Sequence, residues 1–383
     1  MYTHEELESI PEETVKIFRA VELRILDDIV RRIALTGEIT STADYQIQVL
    51  SKMGVDINDI KKYIQSQLII SNIQLENMIK EVIESGYVRD KALYDASNIE
   101  FIPFEDNLEL QQIMTAVIET SKEDLNNLTK TLGFVINRNP ITLTEYYQRN
   151  LTEATMQIVS GGMSYDQVLE KTVNELVNSG IRVIDYESGY HNRLEVAVRR
   201  AILGGVNRIT EHISNENMKK LNTEYAEVSY HLTARPTHQV WQGRVYTKEE
   251  LVTVCGLGTV TGLMGVNCYH HYGAFIPGVS KRMYTDEELD KMNEEANTPK
   301  SSRVYGGKEF TKYEATQQQR KLENNIRLLR YKIDLLQKGN ADKEKIITYK
   351  ARHTRFMNDY KFFSKEMGLK YQSNRINLSA LKK

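Results

Sequence analysis

Cysteine, histidine and tryptophan carry much of the chemistry a side chain can offer, and in this chain of 383 residues they gather in one stretch. Between Tyr230 and Gly278 lie four of the eight histidines, both cysteines, the only tryptophan and two of the six prolines. His231, His238, Cys268, His270 and His271 are residue types that ligate transition metals, and a cysteine with a histidine is also the raw material of a thiol nucleophile. The spacing argues against both. There is no CxxC pair and no HExxH, twelve residues separate Cys255 from Cys268, and His231 and His238 stand seven apart across Pro236. The residues therefore predict no catalytic group, no metal ligand and no cofactor. The plainer expectation is that Cys268 packs as a small hydrophobe, the histidines hold loop carbonyls, and Trp241 anchors a small core.

The elements that must position this stretch are mostly helical. Phe18, Val21, Ile25, Ile29 and Ile33 recur every three or four residues and predict a helix ending near Gly37. A short helix over 43–53 comes next, then a turn at Gly54-Val55-Asp56 with Asp56 as N-cap. A long helix carrying Ile60, Ile64, Leu68, Leu75, Met78 and Val82 runs on from there and stops at Gly86. Another helix is expected over 108–132. Asn139-Pro140 reads as a break with Thr142 or Thr144 capping the next segment, Gly161-Gly162 and Gly180 bound two further helices, and 187–212 reads as helix interrupted only at Gly204-Gly205. Everything to about residue 215 thus reads as helix, without a glycine-rich phosphate loop or a repeat. Past Leu221 the period falls towards two, so Tyr225 to Tyr230 and Tyr272 to Ile276 predict strands, and Thr285 caps a short acidic helix.

Near the C-terminus the pattern is sharpest. Leu322, Ile326, Leu329, Ile333 and Leu336 form one heptad seam, and Ile346, Tyr349, His353, Phe356, Tyr360, Phe363 and Met367 form another. The 338–342 link between them makes an antiparallel helical hairpin. The expected fold is therefore mainly α, in four regions: helical 1–138, helical 139–222, a small α+β unit at 223–302 and a basic hairpin at 303–383.

Charge separates along the chain. Residues 303–383 hold 20 Lys and Arg against 8 Asp and Glu, which leaves 30 against 44 before them. A basic end predicts an acidic partner, and Lys343, Lys345, Lys350, Arg352 and Arg355 are the candidate contacts to DNA or to an acidic protein surface. Two cysteines cannot build a disulfide framework, so a reducing compartment is expected. No run reaches the roughly 18–20 apolar residues of a membrane span, and the acidic opening MYTHEELESIPEE predicts no signal peptide.

The runs ARPTHQVWQGRVY at Ala234 to Tyr246, CGLGT at Cys255 to Thr259, GVNCYH at Gly265 to His270 and FIPGVS at Phe275 to Ser280 resemble the tailed-phage family called phage minor capsid protein 2. The likeness continues through YTDEEL at Tyr284 to Leu289 and YEATQQQRKLENNIR at Tyr313 to Arg327. The Asn-Cys segment is also similar, more weakly, to Mu-type head morphogenesis domains. His231, Arg235, His238, Trp241, Gln242, Gly243, Asn267, Cys268 and His270 match the family motif position by position. Val266 stands where the family often has an aromatic, and Tyr269 where arginine is usual.

The resemblance implies a structural component of the virion, made in the host cytoplasm, that works in head assembly near the portal with portal or major capsid protein as partner. It implies no established reaction and no membrane contact. Two other readings stay open on the residues: a Cys/His-dependent hydrolase or nuclease-like module built on His231, His238, Cys268 and His270, and a DNA-packaging accessory that relies on the hairpin.

Overall fold

The computed structural model describes residues 4–37 and 43–376. The first three residues of the acidic opening and residues 377–383 of the basic region lie outside the described residues. Among the described residues the fold is mainly α with three small antiparallel sheets. It divides into two compact units, each assembled from three separate segments of chain.

One unit comprises Val15–Ser71, Asn126–Ala197 and Gln318–Lys383. Its hairpin forms as the heptads require: helices Lys312–Lys338 and Lys343–Glu366 are joined by a short turn, with Asn340 at φ 52° and the Asp342 carboxylate accepting from the Glu344 N–H. Leu322, Ile326, Tyr360, Phe363 and Met367 are buried along the seam. The hairpin turn packs on helix Tyr165–Ser179 so closely that a Cβ on Gly339 would lie 2.7 Å from a Leu169 methyl. Lys345 and Tyr349 both reach Glu170 on that helix, at 2.7 and 2.8 Å. From helix Glu12–Gly37, Phe18, Val21, Ile25, Ile29 and Ile33 are each at most 1% exposed, so the apolar stripe read from sequence is the buried face.

The same unit holds a four-stranded antiparallel sheet that helical periodicity did not predict. Its order is Asn139–Thr142, Leu132–Ile136, Arg182–Ile184, His191–Arg193. The first hairpin turns on Asn137 and Arg138, at φ 52° and 69°. Two-residue turns of this kind favour Asn-Gly, and an arginine in the second position hides the signal. Pro140 is part of the edge strand, where its missing N–H costs the sheet little. The helix expected from residue 187 therefore begins at Leu194. Thr142 caps as expected, accepting from the Glu145 N–H at 3.0 Å.

The other unit comprises Met1–Thr14, Asn72–Leu125 and Val198–Gln317. Helix Leu194–Lys220, which belongs to this unit from Val198 onward, passes through Gly204-Gly205 without a break. A Cβ on Gly205 would fall 2.5 Å from the Ser121 hydroxyl, so this glycine marks a close helix approach and not a stop. Arg208 fastens the same contact through Ser121 and Asp124, at 3.1 and 3.0 Å. Helix Ala43–Arg89 likewise runs through Gly54, Asp56 and Gly86, so neither the turn nor the stop read at those positions forms. A glycine inside a helix costs only about 1 kcal/mol, which a helix of this length absorbs.

Past Leu221 the expected change of period is real. Strand Tyr225–Val228 pairs with Tyr272–Phe275, from Tyr225 opposite Phe275 to Val228 opposite Tyr272. Val245–Thr247, which period alone did not pick out, adds on its other side. Trp241, Cys255, Leu251, Leu263, Tyr272 and Met218 form the core beside this sheet. Thr247 and Thr285 open the helices Lys248–Thr253 and Asp286–Asn297 with full capping boxes.

Candidate functional site

The sheet register decides which motif residues meet. Because Val228 lies opposite Tyr272, the chain leaving the first strand and the chain entering the last run side by side. His231 and His270 therefore come together, with ring centroids 4.5 Å apart. Pro236 opens the short helix Pro236–Gln239, a position where its lacking N–H is harmless, and the helix delivers His238 to the same spot.

The segment carrying Cys268 is a tight glycine-built loop. A Cβ on Gly262 would sit 2.1 Å from the Gly256 carbonyl oxygen, and one on Gly265 would sit 2.5 Å from that of Val260. Arg235 clamps the loop by donating to the Val266 carbonyl at 2.9 Å, and Asn267, at φ 57°, makes the left-handed turn into Cys268.

Three donor atoms converge at its centre. His238 Nδ1 and His270 Nδ1 are 3.3 Å apart, and Cys268 Sγ lies 3.7 Å from the first and 3.5 Å from the second. All three residues are buried. His238 Nε2 meets the Thr261 carbonyl at 2.8 Å, and His270 Nε2 meets Gln242 Oε1 at 2.9 Å. Gln242 is itself fixed, since Oε1 also accepts from the His231 N–H and Nε2 donates to Asn293. Trp241 covers the cluster, its ring 4.5 Å from that of His238 and 4.9 Å from that of His270. Gly243, at φ 73°, leaves room for Leu289, into whose methyl a Cβ would run at 2.5 Å.

Burial pushes the Cys268 thiol up and the His238 imidazole down from their ordinary values. Cys255, away from the histidines in the core, is pushed up to about 12 for the same reason. A nucleophilic thiol needs a stable thiolate and access to substrate, and Cys268, only 3% exposed, has neither advantage.

The structure thus gathers His231, His238, Trp241, Gln242, Cys268 and His270, sets Arg235 at the rim as a loop clamp, and leaves Asn267 exposed. His271 is buried but is not one of the three converging donors. Sequence reasoning missed Asn293 and Asn297, whose side chains hold Gln239 through its carbonyl and its amide oxygen. Their spacing of four on a helix already capped by Thr285 was the available signal. On the loop's other side, Arg200, Asn207 and Glu211 line a cleft of about 320 Å³ with Val260, Met264 and Asn267.

Of the hairpin cations, Lys343, Lys350, Arg352 and Arg355 are exposed, whereas Lys345 is half-buried in its pair with Glu170. Lys361 and Lys365, not singled out from sequence, are exposed as well. At 3.6 residues per turn, Lys343, Lys350, Lys361 and Lys365 fall within about 60° of one another, to one side of the buried seam.

This is the anatomy of a structural protein, with helical layers, a small rigid motif unit and a charged helical face. The chain belongs to the phage minor capsid protein 2 family, whose sequence model matches residues 3–359. It is also similar to a protein described as "Structural protein" from Lactococcus phage LL-H, with 20% identity over 264 residues that cover 65% of this chain and 71% of that one. No solved structure matches it. Its role is that of a minor structural component of the phage capsid, in contact with other virion components. Among the described residues, no helix is long and apolar enough to cross a membrane.

Proposed function

We propose that this minor capsid protein is a non-enzymatic assembly component seated near the portal on the inner side of the head, where its C-terminal hairpin faces packaged DNA. The observation that carries the DNA contact is the stripe of Lys343, Lys350, Lys361 and Lys365 on the exposed side of helix Lys343–Glu366. Four ammonium groups on one face suit a polyanion whose charges repeat along a rod, and nothing in the stripe reads bases. Of the aromatic side chains on this helix, Tyr349, Tyr360 and Phe363 are held in the seam, and Phe362 is exposed beside Lys361. The position near the portal, with portal or major capsid protein as neighbour, rests on the family's character and on the chain's charge asymmetry.

The test is binding to random-sequence duplex DNA across a salt series. Four phosphate contacts give a log–log slope of roughly −3 to −4, so affinity should fall about a hundredfold between 50 and 200 mM salt. Replacing Lys343, Lys350, Lys361 and Lys365 together by Gln should remove most of the binding and flatten the slope. Binding that is unmeasurable at low salt, or unchanged in the fourfold variant, would overturn the DNA contact.

A further inference from the structure

We propose that His238 Nδ1, His270 Nδ1 and Cys268 Sγ form a binding site for a divalent transition metal of the zinc class. Tetrahedral zinc with Zn–N near 2.05 Å and Zn–S near 2.3 Å has N···N edges of about 3.3 Å and N···S edges of about 3.6 Å. The observed edges are 3.3 Å between the nitrogens and 3.7 and 3.5 Å from sulfur to each. All three edges of one tetrahedral face are therefore already set, in residues no more than 3% exposed.

The hydrogen bonds behind the ligands agree. The Thr261 carbonyl can only accept, so the His238 Nε2 at 2.8 Å from it carries the hydrogen. Gln242 Oε1 accepts from the His231 backbone N–H at 2.9 Å, which identifies it as the oxygen, so the His270 Nε2 beside it also carries a hydrogen. A neutral imidazole has one N–H, and both Nδ1 atoms then turn lone pairs towards the same point. Ligating histidines are oriented by this kind of outer bond from the far ring nitrogen to a carbonyl or amide oxygen.

Two imidazoles and a thiolate select zinc or another borderline metal over calcium or magnesium, which take oxygen ligands. Three protein donors leave the fourth position to water or another small ligand. Bound there, the ion would tie helix Pro236–Gln239 to the glycine-built loop just before the last strand. Sequence spacing does not reveal such a site, because His238 and Cys268 are 30 residues apart and meet only through strand pairing.

The test uses the full chain. Protein purified without chelators from zinc-supplemented culture should carry about one zinc per chain by elemental analysis, because a site of this kind is filled as the protein folds. Refolding in cobalt(II) should give the near-ultraviolet thiolate-to-cobalt absorption band, and the fluorescence of Trp241 should be quenched by the ion beneath it. Cys268→Ser and His270→Gln should lose the metal and the band, while Cys255→Ala should keep both. If the first two variants fail to fold, the wild-type metal content and cobalt spectrum still decide. Less than about a tenth of an equivalent of zinc in the wild-type protein, together with no cobalt–thiolate band after refolding, would overturn the site. A band that persists in Cys268→Ser and is lost in Cys255→Ala would overturn the assignment of its sulfur.

Discussion

Glu195→Gln is expected to destabilise the hairpin-bearing unit by about 3–5 kcal/mol near neutral pH, the cost of removing the shared partner of a buried ionic cluster. Glu195 opens helix Leu194–Lys220, where the helix dipole favours a negative charge. It receives Arg19 Nε on one oxygen and Arg327 Nη2 on the other, each at 2.8 Å. Burial alone would raise its pKa, but the fields of Arg327 and Arg19 outweigh that and hold the carboxyl down at about 2. With the carboxylate gone, two guanidiniums no more than 13% exposed keep their charges without it.

The sign of the pH dependence comes from the lowered pKa. The unfolded chain takes up this proton near pH 4.5 and the folded chain only near 2, so the carboxylate's contribution is complete above about 4.5 and disappears as pH falls through about 2. That difference amounts to about 3 kcal/mol, in line with the cost of the substitution. Denaturant unfolding of wild type and variant should therefore diverge fully at pH 7 and converge as pH falls towards 2. A gap that stays constant over that range would mean that the carboxylate's charge contributes nothing.

Trp241→Ala should cost about 3–5 kcal/mol in the central unit. The indole is 4% exposed and belongs to the core formed with Leu251, Cys255, Leu263 and Tyr272, and it also lies against the rings of His238 and His270. Its removal would leave a cavity beneath the tightly packed loop, and residues 256–265 have little freedom to fill it because Gly262 and Gly265 already touch backbone. Trp241→Phe should recover more than half of the loss. Thermal unfolding followed by circular dichroism separates the cases, and a cost below about 1 kcal/mol for the alanine variant would show that the indole is not the anchor.

The heptad hairpin and the N-terminal stripe were legible because each buried residue repeats one local rule. Leu322, Ile326 and Leu329 lie in the seam for the same reason that Phe18, Val21 and Ile25 face the core. Caps at Thr142 and Thr285 were legible too, since a cap is a contact over two or three residues. The sheet of residues 132–193 was not. Its strands are three to five residues long, its first turn uses Asn137-Arg138, and its pairing of Leu132 with Val183 spans a helix-rich interval that periodicity reads as helix. Glycine misled in two ways. Gly205 is a contact residue, and Gly54 sits inside a long helix. At the site, sequence identified the residues but not the constellation. Nothing local relates His238 to Cys268, and it is the register of Val228 with Tyr272 that brings their segments together.

A minor component of the phage head is present in the particle at low copy number, so its abundance there is the decisive quantity. Quantitative mass spectrometry of purified virions would measure this chain against the portal and major capsid proteins. The expected result is a few copies per particle, at or below the portal's count. Absence from mature particles, or abundance matching the major capsid protein, would contradict a minor structural role in the head.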